Sequence, residues 1–168
     1  VMFKIHSKKL NHRNLNLDNI YVDLSKHAKI TGFYDCTLMS ISEQIKQSKE
    51  KPFFISRELL MNEKFDEKVD VFSFGYIMEF ILLRGKGSFL KREEILENHI
   101  VKIPKRINKV SYSIIQKCLS HSPSERPSFR AIISTIKKYK FKLIDGIDEQ
   151  IPLIEKHLEQ ILDKKHSK

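Results

Sequence analysis

The chain has 168 residues, 40% hydrophobic and 31% charged, enough for one domain with a buried core and too apolar for a disordered chain. Lys and Arg outnumber Asp and Glu by 31 to 21, giving a formal charge of +10. That excess permits attraction to acidic partners. No aromatic-interleaved basic stretch accompanies it, so a lysine-rich solvated surface is expected and no specific nucleic acid. Cys36 and Cys118 lie at no disulfide or zinc spacing and predict reduced thiols in an intracellular, cytoplasmic protein. No leader pattern is expected at Val1. The longest apolar run, Tyr76 to Leu83, holds Glu79 and is too short to span a bilayer.

In chain order, Met2, Phe3 and Ile5 between lysines predict the last turns of a helix over Val1 to Lys8. A polar loop follows, His12-Arg13-Asn14-Leu15-Asn16-Leu17-Asp18-Asn19, running into a β-branched and aromatic segment, Ile20-Tyr21-Val22. Ser25-Lys26-His27 is a polar turn, so Tyr21-Val22 and Ala28-Lys29-Ile30 are predicted to form a small hairpin. Residues 35–55 are polar and lysine-rich without strong period and predict a mobile loop, in which Ser40, Ser42 and Ser48 are candidate phosphorylation sites. Asp66 is a predicted N-cap, with Glu67 in the first turn, of a helix that is apolar on nearly every face from Val69 to Leu83 and therefore buried.

Gly85-Lys86-Gly87-Ser88-Phe89-Leu90 lacks the third glycine of a phosphate loop and follows a helix, so it is expected to be a plain connection. Helices are predicted over Lys91 to Ile100 and Val110 to Leu119, with a break at Ile103-Pro104. Pro127 suits the first turn of a last helix, which ends in Lys137-Lys138-Tyr139-Lys140-Phe141-Lys142. Beyond it, Ile151, Ile154, Leu158 and Ile161 follow a three-four spacing that predicts an amphipathic helix over 151–162.

Three stretches in this order carry a family resemblance. His12 to Asn19 resembles the catalytic loop of eukaryotic protein kinases, His-Arg-Asp-Leu-x-x-x-x-Asn. Phe65 to Gly75 resembles the segment that opens the central helix of the kinase large lobe. Cys118-Leu119-Ser120-His121-Ser122-Pro123-Ser124-Glu125-Arg126-Pro127-Ser128-Phe129 resembles the Cys-Leu-x-x-x-Pro-x-x-Arg-Pro-Ser-Phe stretch before its last helix. The Ser73-Phe74-Gly75 and Arg126-Pro127-Ser128-Phe129 forms look most like the tyrosine-kinase-like branch. Between them, Lys29 to Tyr34 is similar to the segment ending in Asp-Phe-Gly, and Ser56-Arg57-Glu58 stands in place of Ala-Pro-Glu.

The resemblance implies a mainly α (α+β) fold: the large helical lobe of a kinase with a small β-hairpin, over 1–142, and an amphipathic extension over 143–168. The small lobe, with its glycine-rich loop and nucleotide lysine, is expected to be absent. The resemblance also implies roles. Asp70 ties its helix to the backbone of the loop at His12 and Arg13, Glu58 pairs with Arg126, and Phe33 is the packing residue of the Asp-Phe-Gly segment. The family's proton-accepting Asp falls at Asn14 and its metal-holding Asp at Gly32, leaving Asn19 as the one weak cofactor ligand.

An amide accepts no proton at neutral pH, and general-base catalysis is worth roughly 10²–10⁴, or about 3–5 kcal/mol. Asp35 lies about 10 Å from Gly32 along an extended chain, and the Asp18 side chain is expected to face away from that of Asn19, so neither acid is expected to stand in. The reading is therefore a catalytically inactive, pseudokinase-like domain acting through other proteins, with no cofactor expected. The apolar face left by the missing lobe, or the 151–162 helix, would bind the partner. The alternative is the large-lobe fragment of an active serine/threonine kinase of the tyrosine-kinase-like branch, using ATP and Mg²⁺, with its small lobe outside this chain.

Overall fold

The computed structural model describes residues 1–25, 27–40, 54–85, 91–97 and 107–139. Six α-helices and two two-stranded sheets lie in these stretches: α1 (Met2–Ser7), β1 (Leu10–Asn11), β2 (Ile20–Val22), β3 (Ala28–Ile30), β4 (Thr37–Leu38), α2 (Arg57–Leu60), α3 (Lys68–Leu82), α4 (Arg92–Leu96), α5 (Lys109–Cys118) and α6 (Phe129–Lys138). The predicted hairpin is present as β2 and β3, antiparallel with Ile20 opposite Ile30 and Tyr21 opposite Lys29. The mainly helical class with a small hairpin is as expected.

The helix α3 is the axis of the core. Its residues from Val69 to Glu79 are buried with the exception of half-buried Phe74, as its lack of a polar face requires. Val71, Ile77 and Met78 pack with Ile114, Ile115 and Cys118 of α5, with Phe129 and Ile132 of α6, and with Met2 and Leu15. Gly75 lets α3 and α5 approach: a Cβ there would lie 2.8 Å from the Cys118 Cβ. The N-cap position is Glu67 and not Asp66 as expected, but Asp66 just before it still accepts the Lys68 amide on Oδ1 at 2.9 Å.

Two expectations are corrected. The stretch from residue 35 is not loop throughout: Phe33–Asp35 form a single 3-10 turn, and Thr37–Leu38 form β4, which pairs antiparallel with β1, Leu10 opposite Leu38 and Asn11 opposite Thr37. Strands of two residues carry too little alternation for a sequence pattern to register. The helix over Lys91 to Ile100 is shorter, Arg92–Leu96, with Glu94 closing back on the Lys91 amide at 2.7 Å. The expectations placed on 41–53, on 86–90 and 98–106, and on the 143–168 extension with its 151–162 helix lie outside the described residues.

Candidate functional site

The site is built from α3 upward. Asp70 in the first turn of α3 is fully buried. Its Oδ1 accepts the Arg13 amide at 2.7 Å, and its Oδ2 accepts the His12 amide at 2.8 Å and His6 Nε2 at 2.8 Å. One buried carboxylate thus takes three donors from α1 and the loop at His12 and Arg13, which compensates its removal from water. His12 Nδ1 accepts the Asn14 amide at 3.2 Å, so its proton sits on Nε2 and is donated to the Thr31 carbonyl at 2.8 Å. That bond hooks the loop to the end of β3.

Arg13 takes a left-handed backbone, φ 65°, which turns the chain out of the buried segment. Its Nη1 donates to the Asp35 carbonyl at 3.1 Å, and its guanidinium lies 5.1 Å from the Phe65 ring. Burial lowers the Arg13 pKa, while Asp35 and Asp70 act in the opposite direction. Phe33 packs edge-on against the His12 ring, centroids 4.8 Å apart, yet stays 45% exposed. His12, Arg13, Phe33 and Asp70 are therefore gathered at one place.

Asn14 is at the centre of a closed polar net. Its Nδ2 donates to the Asp35 carboxylate at 2.9 Å and to the Tyr34 hydroxyl at 2.8 Å, while its Oδ1 accepts from Asn16 Nδ2 at 2.7 Å. Asn19 Nδ2 donates to the Asn14 carbonyl at 2.8 Å, and Asn16 Oδ1 accepts the Asn19 amide at 3.2 Å. Both amide hydrogens of Asn14 and one from Asn19 are thus committed within the chain. Asp35 reaches Asn14 because residues 33–35 curl into a 3-10 turn, which shortens the path assumed for an extended chain. Sequence reasoning missed Tyr34 and this placement of Asp35. The αL residue Gly32 just before them, which starts the turn, was the available signal.

Gly32 adopts φ +77°, and a Cβ built there would lie 2.4 Å from the Asn19 side chain. The amide of Asn19 therefore occupies the space that a side chain at position 32 would need. Among the described residues no group of three or more His, Cys, Asp or Glu is arranged to hold a metal ion. Farther along the chain, Glu58 and Arg126 meet as expected. Arg126 Nη2 donates to Glu58 Oε2 at 3.1 Å, and Nη1 donates to Oε1. Both side chains are buried, Arg126 also donates to the carbonyls of Ser120, His121 and Lys68, and its guanidinium lies 4.8 Å from the Phe72 ring.

A buried α3 carboxylate gripping a His-Arg loop, beside a bidentate Glu–Arg pair that pins α2 to the turn before α6, defines the helical lobe of a protein kinase. A family model described as protein tyrosine and serine/threonine kinase matches residues 2–136, and the chain belongs to that family. Dual specificity protein kinase pyk3 of Dictyostelium discoideum is 31% identical over 150 residues, 85% of this chain and 11% of that protein. Dual specificity protein kinase shkD of the same organism is 32% identical over 130 residues, 73% of this chain and 18% of that protein. Serine/threonine-protein kinase PDK1 of Cryptococcus neoformans is 32% identical over 149 residues, 82% of this chain and 12% of that protein. The chain thus spans less than a fifth of the length of these relatives. Among the described residues no helix is long and apolar enough to cross a membrane.

Proposed function

We propose that this chain is a catalytically inactive kinase-like domain, a pseudokinase of the tyrosine-kinase-like branch, that acts in the cytoplasm by binding other proteins. The observation that carries the reading is the Asn14 net. The group at the family's proton-accepting position is an amide, which accepts no proton at neutral pH, and both its hydrogens are spent on Asp35 and Tyr34. Losing a general base alone removes about 3–5 kcal/mol of catalysis and leaves a slow enzyme. The second defect compounds it. Phosphoryl transfer leans on charge stabilisation by metal-held phosphates, and magnesium sites use one or two carboxylates together with the phosphates. Position 32 offers none, Asn19 has its amide nitrogen engaged and offers one neutral oxygen, and the Asp35 carboxylate is engaged by Asn14. This donor set does not fit Mg²⁺, so no nucleotide or metal cofactor is assigned and no reaction step is derived through one. The Ser-Phe-Gly and Arg-Pro-Ser-Phe forms support the branch.

A thermal-shift titration of the full chain with ATP, with and without Mg²⁺, tests the reading, because a ligand that binds the folded state raises the melting point by mass action. The expected result is no magnesium-dependent shift.

One observation favours a second reading, the large lobe of an active kinase whose small lobe lies outside this chain. The Asp35 carboxylate sits one hydrogen bond from the position of the missing base. In that reading Asp35, not residue 14, accepts the substrate hydroxyl's proton. D35N then abolishes any phosphate transfer, whereas the first reading has no transfer to lose.

A further inference from the structure

A separate concavity of about 210 Å³ opens between α1, the residue after β4, the approach to α3 and the first turn of α6. Its apolar part is made by Phe3, Met39 and Phe129, and Lys9 and Arg130 also line it. Both cations are exposed, and neither they nor Lys4 and Lys8 enter an ion pair with any described residue. Among the described lining residues Glu67 is the only acid, and His6 is already bonded to Asp70. The positive end of α6 opens on the same place and adds to the field. A cavity of this volume is below the range that takes a cofactor-sized ligand and matches one side chain.

We infer that this concavity docks an acidic peptide segment of a partner protein. One apolar side chain enters against Phe3, Met39 and Phe129, and flanking Asp or Glu residues meet Lys9 and Arg130. The apolar contact supplies affinity, and the cations, which pair with no acid among the described residues, supply the selection for acidic sequence and a fast, salt-sensitive encounter. The inference deepens the protein-binding role proposed above and rests on it. The two fail separately, since nucleotide response tests the inactive site and peptide binding tests this pocket.

The experiment uses the full chain and a short fluorescent peptide of Glu, Asp and Ser around a central Phe, read by anisotropy. Saturable binding is expected, weakened at least about tenfold by K9E or R130E and by replacing the peptide's Phe with Ser, and weakened further as added salt shortens the screening length. Arg130 also lies 5.9 Å from the Phe3 ring, so R130E perturbs packing. K9E is the cleaner variant, because the Lys9 bonds are made by its backbone, to the His6 carbonyl and from the Met39 amide. Absence of saturable binding, binding that tolerates K9E, or tighter binding to a short RNA or to phosphatidylserine vesicles would overturn the inference.

Discussion

The side-chain amide of Asn14 donates to the carboxylate of Asp35 across 2.9 Å. This contact ties residue 14 to the turn at Phe33–Asp35. An aspartate placed at residue 14 would face Asp35 at hydrogen-bond distance, and two carboxylates sharing one site cannot both ionise without a strong upward pKa shift of one.

N14D should therefore be less stable than the parent by about 2–3 kcal/mol at pH 7, from the lost charged hydrogen bond and the added repulsion. The shared site raises a carboxyl pKa in the folded state. The folded state then holds a proton that the unfolded chain releases above about pH 4, so the deficit should shrink on acidification and grow as pH rises. The double variant N14D/D35N restores an amide–carboxylate pair and should recover most of the loss. Urea midpoints measured between pH 4 and 7.5 check this, and an N14D variant as stable as the parent at neutral pH would count against the contact.

The buried pair of Glu58 and Arg126 should dominate the stability of the lobe. Removing one partner strands a buried charge, at a cost of about 3–5 kcal/mol. E58A and R126A should each lose that much in chemical denaturation. R126K should lose a large part of it too, because an ammonium reproduces neither the two-pronged bond to Glu58 nor the stacking on Phe72.

Cys118 gives a pH dependence in the alkaline range. Burial in the core pushes its thiol pKa up to about 12, above the ordinary value of about 8.5. The folded state keeps the proton that the unfolded chain gives up, so the contribution of this group is intact below pH 8.5 and is lost as pH rises beyond it, by about 1.4 kcal/mol per pH unit. The slope of stability against pH between 9 and 10 should be flatter in C118A than in the parent by that amount. The same burial predicts that Cys118 resists alkylation in the folded chain at neutral pH.

Gly32 should tolerate no side chain. Its φ of +77° disfavours a side chain, and a Cβ there collides with Asn19, which is itself bonded to the Asn14 carbonyl. G32A and G32D should both lose about 1–3 kcal/mol, and G32D should gain no magnesium-dependent rise in melting point. A stable G32D that binds Mg²⁺–ATP would show that the position remains open to the metal.

Much of this architecture was legible because the motif residues that are buried here are also the ones that carry long-range bonds. Asp70, Glu58 and Arg126 stand in stretches that resemble kinase motifs, and each closes a contact that the resemblance implies. The hairpin was readable from a polar turn between two β-branched segments. What escaped was short and local. The two-residue strands β1 and β4 carry no period, and the 3-10 turn at Phe33–Asp35 bends Asp35 back on Asn14 where a straight chain would carry it away. Buried Asn11, whose amide atoms have no hydrogen-bond partner among the described residues, gives no sequence signal beyond its polarity in an apolar place. The concavity between α1 and α6 was equally invisible, since Phe3, Met39 and Phe129 come together only in the fold.

The proposed reading is a lobe that holds its structural ties without the reaction. Its most direct test is transfer of labelled γ-phosphate from Mg²⁺–ATP to a generic protein substrate by the whole native protein that carries this chain, run beside D35N. The account predicts no transfer above a protein-free control for either. Transfer by the parent that disappears in D35N would contradict it and would place the working acid at Asp35.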